Sequence, residues 1–406
     1  MKKLFRISTV PISLNILLKG QLRYLNEFYE VTAISGSGKD LEEVQKREGV
    51  KTHIIEMQRE ISPLKDLLAL CHLYHFFKKE KPDIVHSITP KAGLLSMVAA
   101  KLAGVPVRMH TFTGLIFPHK VGILKYLLIW MDRILSSSAT HIFPEGQGVK
   151  KDLEHFQITR KPLRIISKGN VNGIDTAYFN PNKISLEQQK VLRQELGLTA
   201  TDFVFVFLGR LVKDKGINEL ITTFKSLALK FNQNTLHQSS IIQQPTTNIH
   251  SHAFPQIKLL LVGPFEENLD PLFPESLKEI ESNPDIISVG FQPDVRPYLA
   301  ISNALAFPSY REGFPNVVLQ SLAMELPAIV TNINGSNEII IHRKNGLIIP
   351  VKDKHALQQA MMELSTTSAL YESLKMATRG SVFPYEQQMV WDSLVEEYNR
   401  LSGEAK

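Results

Sequence analysis

Two charged loops carry the chemistry this chain could do. The first is Phe207-Leu208-Gly209-Arg210-Leu211-Val212-Lys213-Asp214-Lys215-Gly216, which reads as a strand, a loop and a helix start. Gly216 lets the backbone turn closely. Arg210, a planar fork, and Lys215, a point charge, can then converge on one anion. The plainer reading is a solvated basic loop. The second is Tyr310-Arg311-Glu312-Gly313-Phe314-Pro315-Asn316-Val317, which runs into an apolar helix ending near Met324. Pro315 sits at the helix entry, where its missing N–H costs nothing. Gly313 permits close backbone approach to a ligand. A helix N-terminus offers N–H donors and a positive dipole end. Glu312 either complements that dipole or holds sugar hydroxyls. Taken together, the two loops describe a pocket for a nucleoside diphosphate bearing a sugar. Asn334-Gly335-Ser336-Asn337-Glu338 has a similar look, as a further ligand loop or as a helix cap.

Other motifs fall away on inspection. Ser35-Gly36-Ser37-Gly38-Lys39-Asp40 suggests a phosphate loop, but Ala33 stands where a Walker A glycine is needed and Asp40 where Ser or Thr is needed. It reads as a turn after the second strand. The chain has no Asp-X-Asp and no His-Glu-X-X-His, so no local motif indicates a metal-dependent phosphate site. His237, His250 and His252 are loosely spaced, without nearby carboxylates or thiols, and do not read as metal ligands.

These loops need a scaffold to position them. Short apolar runs at 3–9, 30–34, 52–57, 84–87, 107–111 and 141–144 read as strands. The spacing of apolar residues predicts helices over 64–79 and 93–103. Strand and helix alternate, which implies an α/β fold with a doubly wound parallel sheet. The rhythm restarts with strands at 203–208, 258–262, 286–289, 304–307 and 328–331, so a second such domain follows. The boundary lies within 172–200, giving domains over 1–175 and 176–385. Residues 231–255 are polar and read as a surface insertion. Residues 386–401 form an amphipathic helix, whose face of Trp391, Leu394, Val395 and Tyr398 needs a surface to cover it.

Composition sets the remaining bounds. The 406 residues suffice for two or three domains. A single cysteine, Cys71, excludes an intrachain disulfide and fits a reducing, cytoplasmic setting. The first residues, Met1-Lys2-Lys3-Leu4-Phe5-Arg6, read as a buried strand rather than a signal peptide, because Arg6 and Pro11 interrupt the apolar stretch. No uncharged apolar run reaches the roughly 18 residues of a membrane span. The charge is asymmetric: residues 1–170 hold 26 Lys+Arg against 15 Asp+Glu, and the remainder hold 20 against 25. The basic first half favours an anionic partner, whether nucleic acid, anionic lipid or a diphosphate-linked acceptor. Residues 120–135 are apolar around most of a helix, with Tyr126 and Trp130 suited to a membrane interface. The favoured reading is a helix buried between domains or against the sheet.

The ordered series Gly209-Arg210-Leu211, Lys215-Gly216, Val262-Gly263, Pro308-Ser309 and Glu312-Gly313-Phe314-Pro315-Asn316 resembles the retaining glycosyltransferases of family 4. Lys81-Pro82-Asp83-Ile84-Val85-His86, Asn172-Gly173-Ile174-Asp175 and Lys344-Asn345-Gly346-Leu347 match as well. The resemblance covers nearly the whole chain apart from 231–255. It is closest to bacterial enzymes that build capsule, exopolysaccharide or O-antigen units on a polyprenyl diphosphate carrier.

That resemblance implies a GT-B architecture: two Rossmann-like domains facing across a cleft, acceptor on the first and donor on the second, with the 386–402 helix crossing back to the first. It implies a nucleoside diphosphate sugar donor (UDP- or GDP-linked), a lipid-linked glycan acceptor, no cofactor, no metal and no nucleic acid. A weaker alternative, resting on the basic first half and on residues 120–135, is peripheral contact with the cytoplasmic face of the inner membrane. Arg210 and Lys215 would bind the donor diphosphate, and Glu312 the donor sugar. Gly313, Phe314 and Pro315 shape that loop, and the N–H groups of Asn316 and Val317 would assist. Gly209, Gly263, Gly290 and Phe291 would lie near the nucleotide. Three departures stand out. Gln320 replaces a second glutamate that touches the ribose; an amide can still bond hydroxyls. Pro11-Ile12-Ser13-Leu14 replaces a Gly-Gly loop. Thr113 replaces a frequent histidine before Gly114, and His110 lies nearby as an acceptor-side candidate. Two rival readings follow: a nucleotide-sugar isomerase, since hexosamine 2-epimerases share this architecture, and a binding protein that kept the fold without turnover.

Overall fold

Runs such as Phe203–Leu208 are apolar at every position and buried on both faces, which suits strands covered by helices on each side of a parallel sheet. The computed structural model describes residues 1–58, 60–241, 256–266 and 270–404. The chain divides into two compact units, Met1–Gly173 with Pro384–Lys406, and Ile174–Phe383.

The first unit holds strands β1 (Lys3–Ile7), β2 (Glu30–Ser35), β3 (Lys51–Ile54), β4 (Ile84–Ser87), β5 (Val107–Phe112) and β6 (His141–Pro144). They form one parallel sheet in the order β3-β2-β1-β4-β5-β6. One face is covered by the helices Pro63–Glu80, Pro90–Ala103 and Gly122–Ser138. The other is covered by Pro11–Leu17, Gln21–Leu25, Lys39–Glu48 and the terminal helix Gln387–Glu404. Val390, Leu394, Val395, Tyr398 and Leu401 of that last helix are buried, so its apolar face has found its surface.

The second unit repeats the plan. Its strands are β7 (Phe203–Leu208), β8 (Ile257–Val262), β9 (Ile286–Ser288), β10 (Ala304–Phe307), β11 (Ala328–Thr331) and β12 (Gly346–Ile349), all parallel in the order β12-β11-β10-β7-β8-β9. In each sheet the winding reverses between its first and fourth strands. Crevices at the carboxyl ends of strands beside such a reversal are where doubly wound sheets bind ligands.

Three expectations are corrected. Pro11-Ile12-Ser13-Leu14 is not an altered loop: with Pro11 at the first position it opens the helix Pro11–Leu17 directly after β1. The helix Gly122–Ser138 is not a buried one. Ile129 and Leu135 face the core, while Val121, Ile123, Tyr126 and Trp130 are exposed. The polar stretch expected from residue 231 begins as helix, since Ile217–Ile241 continues past that point. Its remainder, with His250 and His252, lies outside the described residues. Among the described residues no helix is long and apolar enough to cross a membrane.

Candidate active site

Three glycines end three neighbouring strands. Gly209 follows β7 at φ +143°, Gly263 follows β8 at φ +150°, and Gly290 follows β9 at φ +66°. The Gly263 N–H donates to the Gly290 carbonyl at 2.8 Å, and the Gly209 N–H donates to the Val262 carbonyl at 3.0 Å. A Cβ on Gly263 would sit 1.8 Å from the Gly209 oxygen, so only glycine fits. The carboxyl edge of this sheet is thus bare backbone from β7 out to the edge strand β9, open to close approach by a ligand. Phe291 stands beside it with its ring exposed.

Charged side chains surround that bare edge. Lys215 ends a short 3-10 turn, Lys213–Lys215, closed by Gly216 at φ +71°. A Cβ on Gly216 would lie 2.2 Å from the Pro308 carbonyl, so the turn is pressed against the loop that leaves β10. The Tyr310 N–H donates to the Asp214 carbonyl at 2.8 Å, and Arg311 pairs with Asp214 at 3.0 Å. This packing delivers the Lys215 ammonium to the Glu312 carboxylate, both side chains being mostly buried at 16% and 15% exposure. The Ser309 hydroxyl donates to the same carboxylate at 2.7 Å. Tyr310 donates to Glu219; burial first, and that carboxylate second, raise the phenol far above its usual range.

Arg210 does not converge with Lys215 on one point in this structure. Its guanidinium pairs with Glu266, at 48% and 24% exposure. Each of the two cations thus carries its own carboxylate. Glu266 is the residue that sequence reasoning missed; Ser309 stood in a quoted motif but was given no role. The signal for Glu266 was its place just beyond Gly263, in Gly263-Pro264-Phe265-Glu266, at the same sheet edge.

Glu312 leads through Gly313, buried Phe314 and Pro315 into the helix Asn316–Ala323, with Pro315 as its N-cap. A Cβ on Gly335 would lie 2.3 Å from the Gly313 carbonyl, so the Asn334-Gly335-Ser336 turn props this loop from behind. Glu338 accepts from the Gly335 N–H at 3.2 Å, so that turn caps the short helix Ser336–Ile339. Asn316 and Val317 occupy the first helical positions, and Gln320 lies one turn on, half-buried. The Gln320 amide makes no hydrogen bond among the described residues.

In the first unit the polar residues turn inward. His110 is a core residue at 1% exposure, its Nδ1 bonded to the Ser87 hydroxyl at 2.8 Å and its ring pressed where Gly93 lacks a side chain. Burial lowers its pKa to about 3. In this structure His110 is thus sealed beneath the carboxyl end of the sheet rather than displayed at its surface. Arg6, also 1% exposed, donates to His86 Nδ1 at 2.6 Å and to the Tyr398 hydroxyl at 2.5 Å. Beside them is a cavity of ≈ 20 Å³, lined also by Thr111, Glu145 and Asn170. That is room for about one water molecule, not a substrate.

Comparisons with known proteins bear on the fold and the family. The model of the family described as Glycosyl transferases group 1 matches residues 188–380, and that of Glycosyltransferase Family 4 matches residues 18–178. The chain is 29% identical to the capsular polysaccharide biosynthesis glycosyltransferase CapM of Staphylococcus aureus, over 100% of this chain and 99% of that protein. It is 27% identical to the UDP-Gal:alpha-D-GlcNAc-diphosphoundecaprenol alpha-1,3-galactosyltransferase of Escherichia coli, over 77% of this chain and 74% of that one. Among solved structures, Anabaena Alr3699/HepE in complex with UDP and glucose superposes with a TM-score of 0.76 at 15% identity, covering 98% of this chain and 100% of that one. WaaG, a glycosyltransferase involved in lipopolysaccharide biosynthesis, gives 0.69 at 12% identity, covering 97% and 99%. Likeness at that identity shows the fold, which is GT-B-like, and the sequence matches name its parts: residues 18–178 are a Glycosyltransferase Family 4 domain and residues 188–380 a Glycosyl transferases group 1 domain.

Proposed function

We propose that this protein moves a sugar from a nucleoside diphosphate donor, UDP- or GDP-linked, to a hydroxyl of a polyprenyl-diphosphate-linked glycan during assembly of a cell-surface polysaccharide. One observation carries this reading: Arg210, Lys215 and Glu312 are gathered around the glycine-lined carboxyl edge of β7, β8 and β9. The relatives support it. The Escherichia coli enzyme is named for UDP-Gal and an undecaprenol-diphosphate acceptor, CapM for capsule synthesis, and the Alr3699/HepE structure contains UDP.

In this mechanism Arg210 and Lys215 compensate the charge that grows on the leaving diphosphate. Glu312 holds a hydroxyl of the donor sugar, and the N–H groups of Asn316 and Val317 add the helix end. Gly209, Gly263, Gly290 and Phe291 border the nucleoside, and Gln320 offers its amide to the ribose. The acceptor oxygen bonds to the anomeric carbon as the bond from that carbon to the phosphate oxygen breaks. The departing phosphate oxygen takes the acceptor proton on the same face, so configuration is retained and no protein base is required. The two cations make a divalent ion unnecessary. Incubation with a nucleoside diphosphate sugar and a lipid-linked acceptor, in excess chelator, should yield a glycoside with the donor's anomeric configuration. An inverted product, or full dependence on a divalent ion, would contradict the mechanism. Epimerised donor with no transfer would favour the isomerase.

The same reading places the first unit at the cytoplasmic face of the membrane that carries the acceptor. The helices Pro63–Glu80 and Gly122–Ser138 both pack on Pro90–Ala103, and in a parallel sheet all three begin at its carboxyl edge. Ile61, Leu64, Leu67 and Leu68 are exposed on one, and Val121, Ile123, Tyr126 and Trp130 on the other. Residues 113–131 hold Lys120 and Lys125 and no acid, a composition suited to an anionic lipid surface. Co-sedimentation with anionic vesicles at low salt should fall when Ile123 and Trp130 are both changed to Ser; equal recovery would remove this contact.

A further inference from the structure

We propose that Glu266 is a charge gate on the donor pocket: a positioning residue that holds Arg210 while the pocket is empty and yields it to the diphosphate. This rests on the donor-site reading above and adds to it a residue that reading does not assign. Arg210 leaves the end of β7 and Glu266 the end of the adjacent β8. Between them the two exit loops stay paired, with the Leu211 N–H donating to the Pro264 carbonyl at 2.9 Å and a parallel bridge joining Leu211 to Phe265. The carboxylate is therefore built to meet the guanidinium, not a mobile surface partner that happens to lie near.

Exposure decides what that pair is for. At 48% and 24% exposure it is screened by solvent, and ion pairs of this kind contribute little to folding. A diphosphate, doubly charged and able to take the guanidinium fork with two oxygens, outcompetes one carboxylate. With Lys215 held by Glu312 as well, the empty pocket carries two cations and two matching anions. Diphosphate binding must then break the more exposed pair. Once Arg210 has turned to the ligand, the Glu266 carboxylate is left unpaired beside a like charge. It therefore weakens the hold on donor and on released nucleoside diphosphate alike, and hastens product departure.

The test is a double-mutant cycle on the full chain, titrating UDP, GDP and inorganic pyrophosphate by calorimetry without metal. Glu266→Gln should tighten binding by about twofold to fivefold, the range expected for losing one exposed competing ion pair. On an Arg210→Ala background the gain from the same change should shrink, because only the direct repulsion between Glu266 and the diphosphate is then removed. In turnover, Glu266→Gln should lower the donor KM and not raise kcat. Unchanged or weaker binding in Glu266→Gln, or an equal gain without Arg210, would overturn the gate while leaving the donor site standing. Absence of binding by the unaltered protein to all three probes would instead remove the donor site, and the gate with it.

Discussion

The two units share one strand order and use the same edge in opposite ways. In the first, Arg6 projects from central strand β1 and is sealed inside, its hydrogen-bond partners among the described residues being the neutral side chains of His86 and Tyr398. Burial, then the Arg6 charge, hold His86 well below its ordinary pKa. Its Nδ1 therefore accepts, and its Nε2 donates to the Thr111 hydroxyl at 2.8 Å. In the second unit the corresponding central strand, β7, ends before its cation appears, and Arg210 stands half-exposed on the loop beyond, opposite a carboxylate. A buried cation needs a fixed hydrogen-bonded cage and becomes structure. A half-exposed one keeps an exchangeable partner and becomes a binding group. One topology thus yields a latch for the terminal helix in one unit and, in the proposed reading, an anion pocket in the other.

Lys215→Ala should break the second half of this comparison most severely. Loss of one such charge-stabilising group costs turnover about 10²–10³-fold, measurable as initial transfer rate at saturating donor. A fall smaller than tenfold would take Lys215 out of the mechanism. The first half is broken by Tyr398→Ala, which empties a fully buried aromatic site and removes a partner from both Arg6 and His86. By analogy with other buried aromatic truncations the loss should be about 3–5 kcal/mol, read from urea unfolding of the first unit. Nucleotide affinity in the second should be unmoved; a parallel loss there would show that the two sites are not separate.

Two further effects are in pH. His110 is shifted by burial from 6.5 to about 3, so the stability it contributes is full above 6.5 and is lost as the pH falls toward 3. Asp132, on the helix Gly122–Ser138, is raised by burial from 3.8 to about 7, which has the reverse sign. Its contribution is full below 3.8 and is lost as the pH rises toward 7. Asp132→Asn should therefore melt higher than the unaltered chain above pH 7 and no higher near its ordinary 3.8. An equal difference at both ends would refute the shifted carboxyl.

Much of the scaffold was legible because buried parallel strands are unbroken apolar runs between turn residues. Ile84–Ser87, His141–Pro144, Phe203–Leu208, Ala304–Phe307 and Ala328–Thr331 stand where the runs put them. β12 escaped, since four residues opening on Gly346 carry too little pattern. The seven-residue helix Pro11–Leu17 escaped for the same reason. The outward face of Gly122–Ser138 was misjudged because an all-round apolar helix reads as buried, and sequence periodicity does not tell an exposed apolar face from a core-facing one. In the candidate site, single loops could be read from local glycine and charge spacing. The pairings could not: Arg210 and Glu266 are 56 positions apart and Lys215 and Glu312 are 97 apart, so only the sheet brings them together.

The most direct measurement is a metal-free calorimetric titration of UDP, GDP and ADP into the unaltered chain and its Lys215→Ala variant. The account predicts selective binding of one nucleoside diphosphate by the unaltered chain, lost or sharply weakened in the variant. Binding that is indifferent to Lys215, or no binding by either protein, would contradict a donor pocket at the carboxyl edge of β7, β8 and β9.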